Sequence, residues 1–466
     1  NTLSAYFSCL QKVDMKKLEE LKNEISTLES QLSREIDKNK AKDLINRLNL
    51  LKNQKNKIEE AKNILSTFEN LGIVEGENIV ITTIDSLTNN GVIISQENIN
   101  LTSQGNIKNS GIVSVGIDAT VKGKSFENNS LTVSGDLIVE TIEGMTSNDL
   151  TVGKNISISG GITSNGKLHG NGNLNISGDF SSGINSESSI VGDITISGGV
   201  NSSGDISTGG SLTVNGNSDF ISSGELQVGK DLSISSKNIK TNTTTIGGSA
   251  NIISQGNIVN KGDFQAKENI IFDGNNISSN GNLATEGSLT VNGSGSFSSE
   301  QISVGGKLDI SSQSFINNKS IIVGQDTVIN SGNGSVSTGE SFHTQGKTQI
   351  NGDKIDINGE LISNGIELNG KLNNSGNIQS KGDIIISSKE NIDINSGGKI
   401  VATGDINIDT TGDITNKGMI VGNQDINLEA KNINNTDGST IWANKNIILE
   451  ASEKIYNGIL STIQSM

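Results

Sequence analysis

From about Gly76 onward one short pattern returns every ~18–22 residues: a glycine, one or two polar residues, then two aliphatic residues separated by a polar one. It reads Gly192-Asp193-Ile194-Thr195-Ile196-Ser197-Gly198, and then Gly210-Ser211-Leu212-Thr213-Val214-Asn215-Gly216. It recurs at Gly229-Lys230-Asp231-Leu232-Ser233-Ile234, Gly287-Ser288-Leu289-Thr290-Val291, Gly306-Lys307-Leu308-Asp309-Ile310 and Gly404-Asp405-Ile406-Asn407-Ile408. Shorter runs such as Gly204-Asp205-Ile206 and Gly412-Asp413-Ile414 lie between them. Alternation is the period of a strand, so Ile194 and Ile196 share one face while Asp193, Thr195 and Ser197 share the other. A unit with so few small apolar side chains cannot bury them alone. Stacking units in register solves the problem, because each inward Ile or Val then lies on its counterpart one coil away, about 4.8 Å off.

These constraints predict an all-β chain, a parallel β-helix of about 20 coils with a dry aliphatic interior. Glycine-containing pairs such as Gly-Asp, Asn-Gly and Ser-Gly are expected to supply positive φ at the corners. The chain has no proline, which fits a ladder that needs almost every N–H. Its 56 glycines follow no third-residue period, which excludes collagen. An aromatic content of 3 % argues against deep ring-lined pockets, and against propeller blades, which with the β-sandwich form the alternative. Charged residues are only 18 % and short aliphatic runs persist, so disorder does not fit.

The first seventy residues have a different period. Leu18, Leu21, Ile25, Leu28 and Leu32 draw one apolar stripe down a helix. Asp37-Lys38-Asn39-Lys40 interrupts it, and a second stripe runs through Leu44, Leu48, Leu51, Ile58, Leu65 and Phe68. Asn70 and Gly72 supply stop signals. The expectation is an antiparallel α-helical hairpin over residues 1–72, an insertion or a cap, followed by the β-helix over 73–466.

Net charge is −16, distributed as about +2 within residues 1–70 and about −18 beyond. Both arginines, Arg34 and Arg47, fall in the first segment. No basic patch could track a phosphate backbone, so nucleic acid is not an expected partner. No apolar run approaches the ~18–20 residues of a membrane span. Without an initial Met or a signal sequence, the chain reads as an internal piece of something longer.

Candidate chemistry is sparse. His169 and His343 lie too many repeats apart to meet, so no two-histidine catalytic or metal site is expected. Cys9 has no partner cysteine and reads as an incidental thiol. Asp193, Asp205, Asp231, Asp309 and Asp405 recur with the repeat and read as turn formers in preference to a glycosidase pair. The repeat region has no arginine and few rings to stack on sugars, which weighs against a carbohydrate-active β-helix enzyme. The calcium-binding Gly-Gly-x-Gly-x-Asp nonapeptide does not recur. Asn-x-Ser/Thr triplets at Asn128, Asn155, Asn175 and Asn242 are the frequency expected of so Asn- and Ser-rich a chain. No catalytic residue, cofactor or metal is assigned.

The stretch from Lys381 to Glu450, opening Lys381-Gly382-Asp383-Ile384-Ile385-Ile386 and closing Asn446-Ile447-Ile448-Leu449-Glu450, resembles the hemagglutinin repeats of filamentous-hemagglutinin-type proteins. The resemblance implies a right-handed parallel β-helix, the shaft of a large two-partner-secreted bacterial exoprotein. It implies a secreted, cell-surface location, an outer-membrane two-partner-secretion transporter, and a receptor on a host cell or neighbouring bacterium. The first expectation is a non-enzymatic shaft segment of an adhesin, mediating adhesion or displaying a distal active region. The alternative is the stalk and receptor-contacting segment of a contact-dependent growth-inhibition effector or leukotoxin-type exotoxin. The Asn-Pro motifs of that family's secretion domain are absent from this chain.

Overall fold

A computed structural model describes residues 15–34, 38–436 and 438–466. Cys9 lies outside the described residues, as do the side chains of Leu18, Ile58 and Leu65. The chain divides into two compact units, residues 1–178 and 179–466.

In the first unit, helix α1 (Met15–Leu32) and helix α2 (Lys38–Ser66) form the antiparallel hairpin. Leu21, Ile25, Leu28, Leu48 and Leu51 are buried against each other, with Leu32 and Leu44 packed at the edge. Spacings of three and four put these leucines on one stripe of each helix, and the seam is what the two helices share. Arg47 donates to Glu24 at 2.9 Å and Lys52 to Glu29 at 2.7 Å beside the seam. These exposed pairs add little to the leucine burial.

One stripe residue belongs elsewhere. Phe68 lies in the strand Thr67–Asn70, in register with Leu87 of the next coil. Phe68-x-Asn70 alternates as a strand does, and a half-buried ring over Leu87 removes more apolar surface from water than a frayed last helical turn could. Asn70 is accordingly not a helix stop but the first residue of a buried amide row described below.

The rest of this unit is a parallel solenoid with three strands per coil. One coil runs Ser86–Asn89, Val92–Ser95 and Ile99–Ser103. The third strand stacks Ile79 on Ile99, Ala119, Leu137, Ile156 and Leu174, in steps of 18–20 residues. The second unit repeats the arrangement. One row runs Ile194, Leu212, Leu232, Ala250, Ile270, Leu289 and Leu308, passes through the buried Thr327 and Thr348, and continues with Ile366, Ile384, Ile406, Ile426 and Ile447. Backbone bonds join each coil to the next, as in Ile194 N–H to Ser211 O at 2.8 Å and Leu212 N–H to Asp231 O at 3.0 Å.

The interior departs from the expected aliphatic stack in two ways. The largest fully buried side chains are phenylalanines, among them Phe126 in the first unit and Phe220, Phe264 and Phe297 in the second. Phe297 stacks on Phe315 with centroids 5.3 Å apart, because register places like above like. The other departure is a set of buried polar rows, taken up in the next section.

The expected role of glycine also needs correction. Among the described residues only six glycines have positive φ, none of them Gly204, Gly216 or Gly404. Close approach explains these instead. A Cβ at Gly216 would lie 2.4 Å from Gly198 O, and one at Gly404 would lie 2.1 Å from Asp383 Oδ1. Corners of successive coils stack at the ladder spacing, leaving no room for a side chain directed along the axis.

The in/out assignment is open to test. Ile196 is buried over Val214, whereas Thr195 faces solvent. Ile196→Asp buries an unpartnered carboxylate and is expected to cost several kcal/mol, opening the flanking coils first. Thr195→Asp is expected to change stability by under about 0.5 kcal/mol. Hydrogen exchange on the two variants checks this, and equal effects would refute the register. In the hairpin, Leu28→Asp is expected to abolish the helical circular-dichroism signal while the β signal stays.

Candidate interaction surface

The residues singled out for chemistry do not assemble a site. His169 is on an outward strand position beside Thr151. His343 is exposed, its Nε2 3.4 Å from Glu360 Oε2. Among the described residues no three His, Cys, Asp or Glu side chains are grouped to hold a metal ion. A shallow polar indentation of about 380 Å³ is lined by Gln255, Asp273, Asn275, Asn292 and Ser294 among others. It contains one carboxylate, where glycoside hydrolysis uses two. Glu300 is held below the usual carboxylate range, first by the Asn318 amide donating at 2.8 Å and then by Lys319 at 3.4 Å. Whatever stability this exposed contact supplies is present at neutral pH and is lost as pH falls through that lowered value.

The recurrent aspartates do more than form turns. Asp193 Oδ1 accepts the Ser211 N–H at 2.8 Å, one coil on, and Asp231 Oδ1 accepts the Ser249 N–H at 2.9 Å. Asp205 does the same for Glu225 at 2.8 Å, and Asp405 for Asp425 at 3.0 Å. The first unit has an unbroken row. Asn78, Asn98, Asp118, Asp136 and Asn155 each accept the N–H of the corresponding residue one coil further, ending at Asn173. Each side chain thus satisfies a corner N–H that the strand ladder does not reach. Asp309 is outside this scheme, exposed on a strand between Thr290 and Val328.

Inside the first unit a second row is buried. Asn70 donates to Asn89 Oδ1 at 2.7 Å, Asn89 to Asn109 at 2.7 Å, Asn109 to Asn128 at 2.8 Å, and Asn128 to Ser147 Oγ at 2.9 Å. Each amide from Asn89 to Asn128 also donates to a carbonyl one coil further, as Asn109 does to Ser130 O at 2.8 Å. In the second unit Asn416, Asn435 and Asn457 repeat the row. An amide has both a donor and an acceptor, so identical residues stacked in register satisfy one another. Asn128, one of the glycosylation-type triplets, is therefore buried and inaccessible, whereas Asn175 is exposed.

What remains for a partner is the outward side. On the second strand of each coil the first unit stacks Ile73, Val92 and Ile112. Ile73 is 73 % exposed, and Leu71 beside it 76 %. In the second unit the equivalent face stacks Val401, Val421 and Trp442, with Met419 alongside. Trp442 is the only tryptophan in the chain and is outward and half-buried. Aliphatic runs on a solvated sheet face mark interaction surfaces, and a half-exposed indole is a favoured anchor within one. Reading the repeat for its inward alternation missed these rows. Their signal is an aliphatic residue in the position between two inward ones.

The fold is a parallel β-solenoid whose inward side chains are packed on one another from coil to coil. Residues 65–111 and 390–458 match the family model of the haemagglutinin repeat, and with the solenoid this fits a shaft of the filamentous-hemagglutinin type. The family is in general a structural, non-enzymatic shaft. No curated protein and no solved structure matches the chain.

Two predictions test the rows. Asn109→Asp places a carboxylate against the acceptors Asn128 Oδ1 and Ser130 O, which raises its pKa. The variant is expected to lose stability as pH rises through that value and to regain it on acidification, measured by denaturant titration across pH. Asp231→Ala leaves the Ser249 N–H unpaired and is expected to cost about 1–2 kcal/mol, while Asp231→Asn is near neutral by the same measurement.

Proposed function

We propose that the protein is a non-enzymatic, extracellular shaft segment of a secreted bacterial adhesin of the hemagglutinin type, exported by a two-partner-secretion transporter. The observation that carries this reading is the match of two stretches to the haemagglutinin repeat on a chain folded as a solenoid. Contact with a receptor on a host cell or neighbouring bacterium is assigned to the outward rows, Val401–Val421–Trp442 and Ile73–Val92–Ile112.

A second reading takes the chain as the stalk of a growth-inhibition effector or exotoxin. The helical hairpin favours it, since it is a helical element outside the coil pattern and carries both arginines of the chain. In that reading the hairpin, residues 1–72, is a receptor-contacting segment distinct from the coils over 73–466.

Binding of the purified chain to host cells and to bacteria separates the two. Under the adhesin reading, deleting residues 15–66 leaves host-cell binding intact, and Trp442→Ser weakens it at least fivefold. Loss of binding to bacterial cells on the same deletion, with Trp442→Ser silent, would select the second reading. Because Trp442 is alone, a shift in its fluorescence on binding reports this face directly.

A further inference from the structure

Several corners of the coils share one device, in which a buried hydroxyl or amide oxygen accepts the N–H of the glycine two residues on. Ser103 Oγ accepts the Gly105 N–H at 3.1 Å, and Thr208 Oγ1 accepts the Gly210 N–H at 3.2 Å. On the inward row of the first strand the holder is asparagine: Asn70 for Gly72 at 3.1 Å, Asn374 for Gly376 at 3.1 Å and Asn416 for Gly418 at 3.0 Å. Ser164 stands in that row, in register with Ser147, and is 1 % exposed. Its Oγ has no hydrogen-bond partner, and the Gly166 N–H makes no hydrogen bond to any described residue. In this row serine is shorter than the asparagine it replaces and does not hold the glycine. A buried group left unpaired in this way calls for an explanation.

Between Ser164 and Gly166 stands Asn165, exposed at the corner, its side chain hydrogen-bonded to nothing among the described residues. An Asn-Gly pair is where a backbone nitrogen most readily reaches a side-chain amide, because glycine has no Cβ to obstruct it. Elsewhere the fold ties down one of the two groups. The Gly91 N–H donates to Asn70 O at 3.0 Å, Gly172 to Lys154 O at 2.9 Å, Gly216 to Ser235 O at 3.0 Å and Gly334 to Ser331 O at 2.7 Å. At Asn358-Gly359 the amide is tied instead, Asn358 Nδ2 donating to Ser337 Oγ at 3.2 Å and to Thr338 O at 3.1 Å. At Asn165-Gly166 neither group is held.

We propose that Asn165 is a site of self-modification, converted to aspartate and isoaspartate by the backbone nitrogen of Gly166. That nitrogen bonds to Asn165 Cγ and gives up its proton. The Cγ–Nδ2 bond breaks, and the amide nitrogen leaves with that proton as ammonia. The five-membered imide then takes up one solvent water at either carbonyl and opens to the acid. Isoaspartate carries one extra carbon in the main chain, and it falls in the corner between the strands Ile162–Ser164 and Lys167–Gly170. Those strands are fixed by their register with Met145 and Leu150, so the corner absorbs the added length. The corner also gains a carboxylate near Asp149, whose Oδ1 accepts the Lys167 N–H at 3.3 Å.

The test incubates the full chain at mildly alkaline pH, folded and in denaturant, and follows each Asn-Gly pair by peptide mapping with mass spectrometry. In the folded chain Asn165 is expected to convert at least tenfold faster than Asn90 and Asn171. In denaturant the rates at Asn165 and Asn171 are expected to fall within threefold of each other. Ser164→Asn restores the row's holder for the Gly166 N–H and is expected to slow conversion at Asn165 at least tenfold, with Asn171 and the circular-dichroism spectrum unchanged. The proposal is overturned if Asn165 converts no faster than Asn171 in the folded chain, or if a folded Ser164→Asn variant converts at the original rate. Should that variant misfold, the comparison with denaturant decides, and a tenfold ratio that persists in the unfolded chain overturns the proposal.

Discussion

Everything in the coiled part of this protein depends on coil-to-coil register at the spacing of a parallel ladder. A coil has no core of its own, and its few inward side chains become a core only when their counterparts lie directly above and below. A slip of one residue would turn each inward aliphatic to solvent and each outward Asp, Ser or Thr inward. That is why repeat length can vary from 17 to 22 residues while the inward rows keep their register. The variation is absorbed at the corners. At the strands it cannot be.

Apolar stacking alone would be a weak guardian of register, since an isoleucine packs tolerably on any neighbouring aliphatic. The polar rows are more selective. An asparagine held between two others has its donor and acceptor both committed, and displacing it leaves buried amides unpaired. The corner carboxylates and amides act at the surface in the same sense, each accepting an N–H one coil on. Stability is thus spread along the axis through nearest neighbours, and no single site concentrates it. A chain built this way has its inner faces employed in holding itself together.

The outward aliphatic rows and the helical hairpin are the features the architecture does not require. A solenoid gains nothing from Trp442 or Ile73 pointing to water, and the coils could begin at Thr67 without two helices ahead of them. The two features differ in kind. The rows lie on the rigid sheet and inherit its spacing, which suits a flat, extended contact. The hairpin presents a self-contained helical surface with a different charge balance.

The sequence by itself determined the architecture, because a period-two alternation recurring at a near-constant interval admits few ways to bury its apolar residues. It also determined the hairpin seam, where Leu21, Ile25, Leu28, Leu48 and Leu51 lie on single helical stripes. Both are local patterns, readable within one coil or one helix. Tertiary structure decided what depends on neighbours about 20 residues away. Whether Asn109 is a solvated turn residue or a buried rung depends on Asn89 and Asn128 standing above and below it. Whether Asp231 merely turns the chain or holds the Ser249 N–H depends on the next coil's corner. Phe68 left the helix for the first strand because Leu87 offered it a partner. Gly216 is glycine because Gly198 O lies beneath it, a crowding that appears only once the coils are stacked.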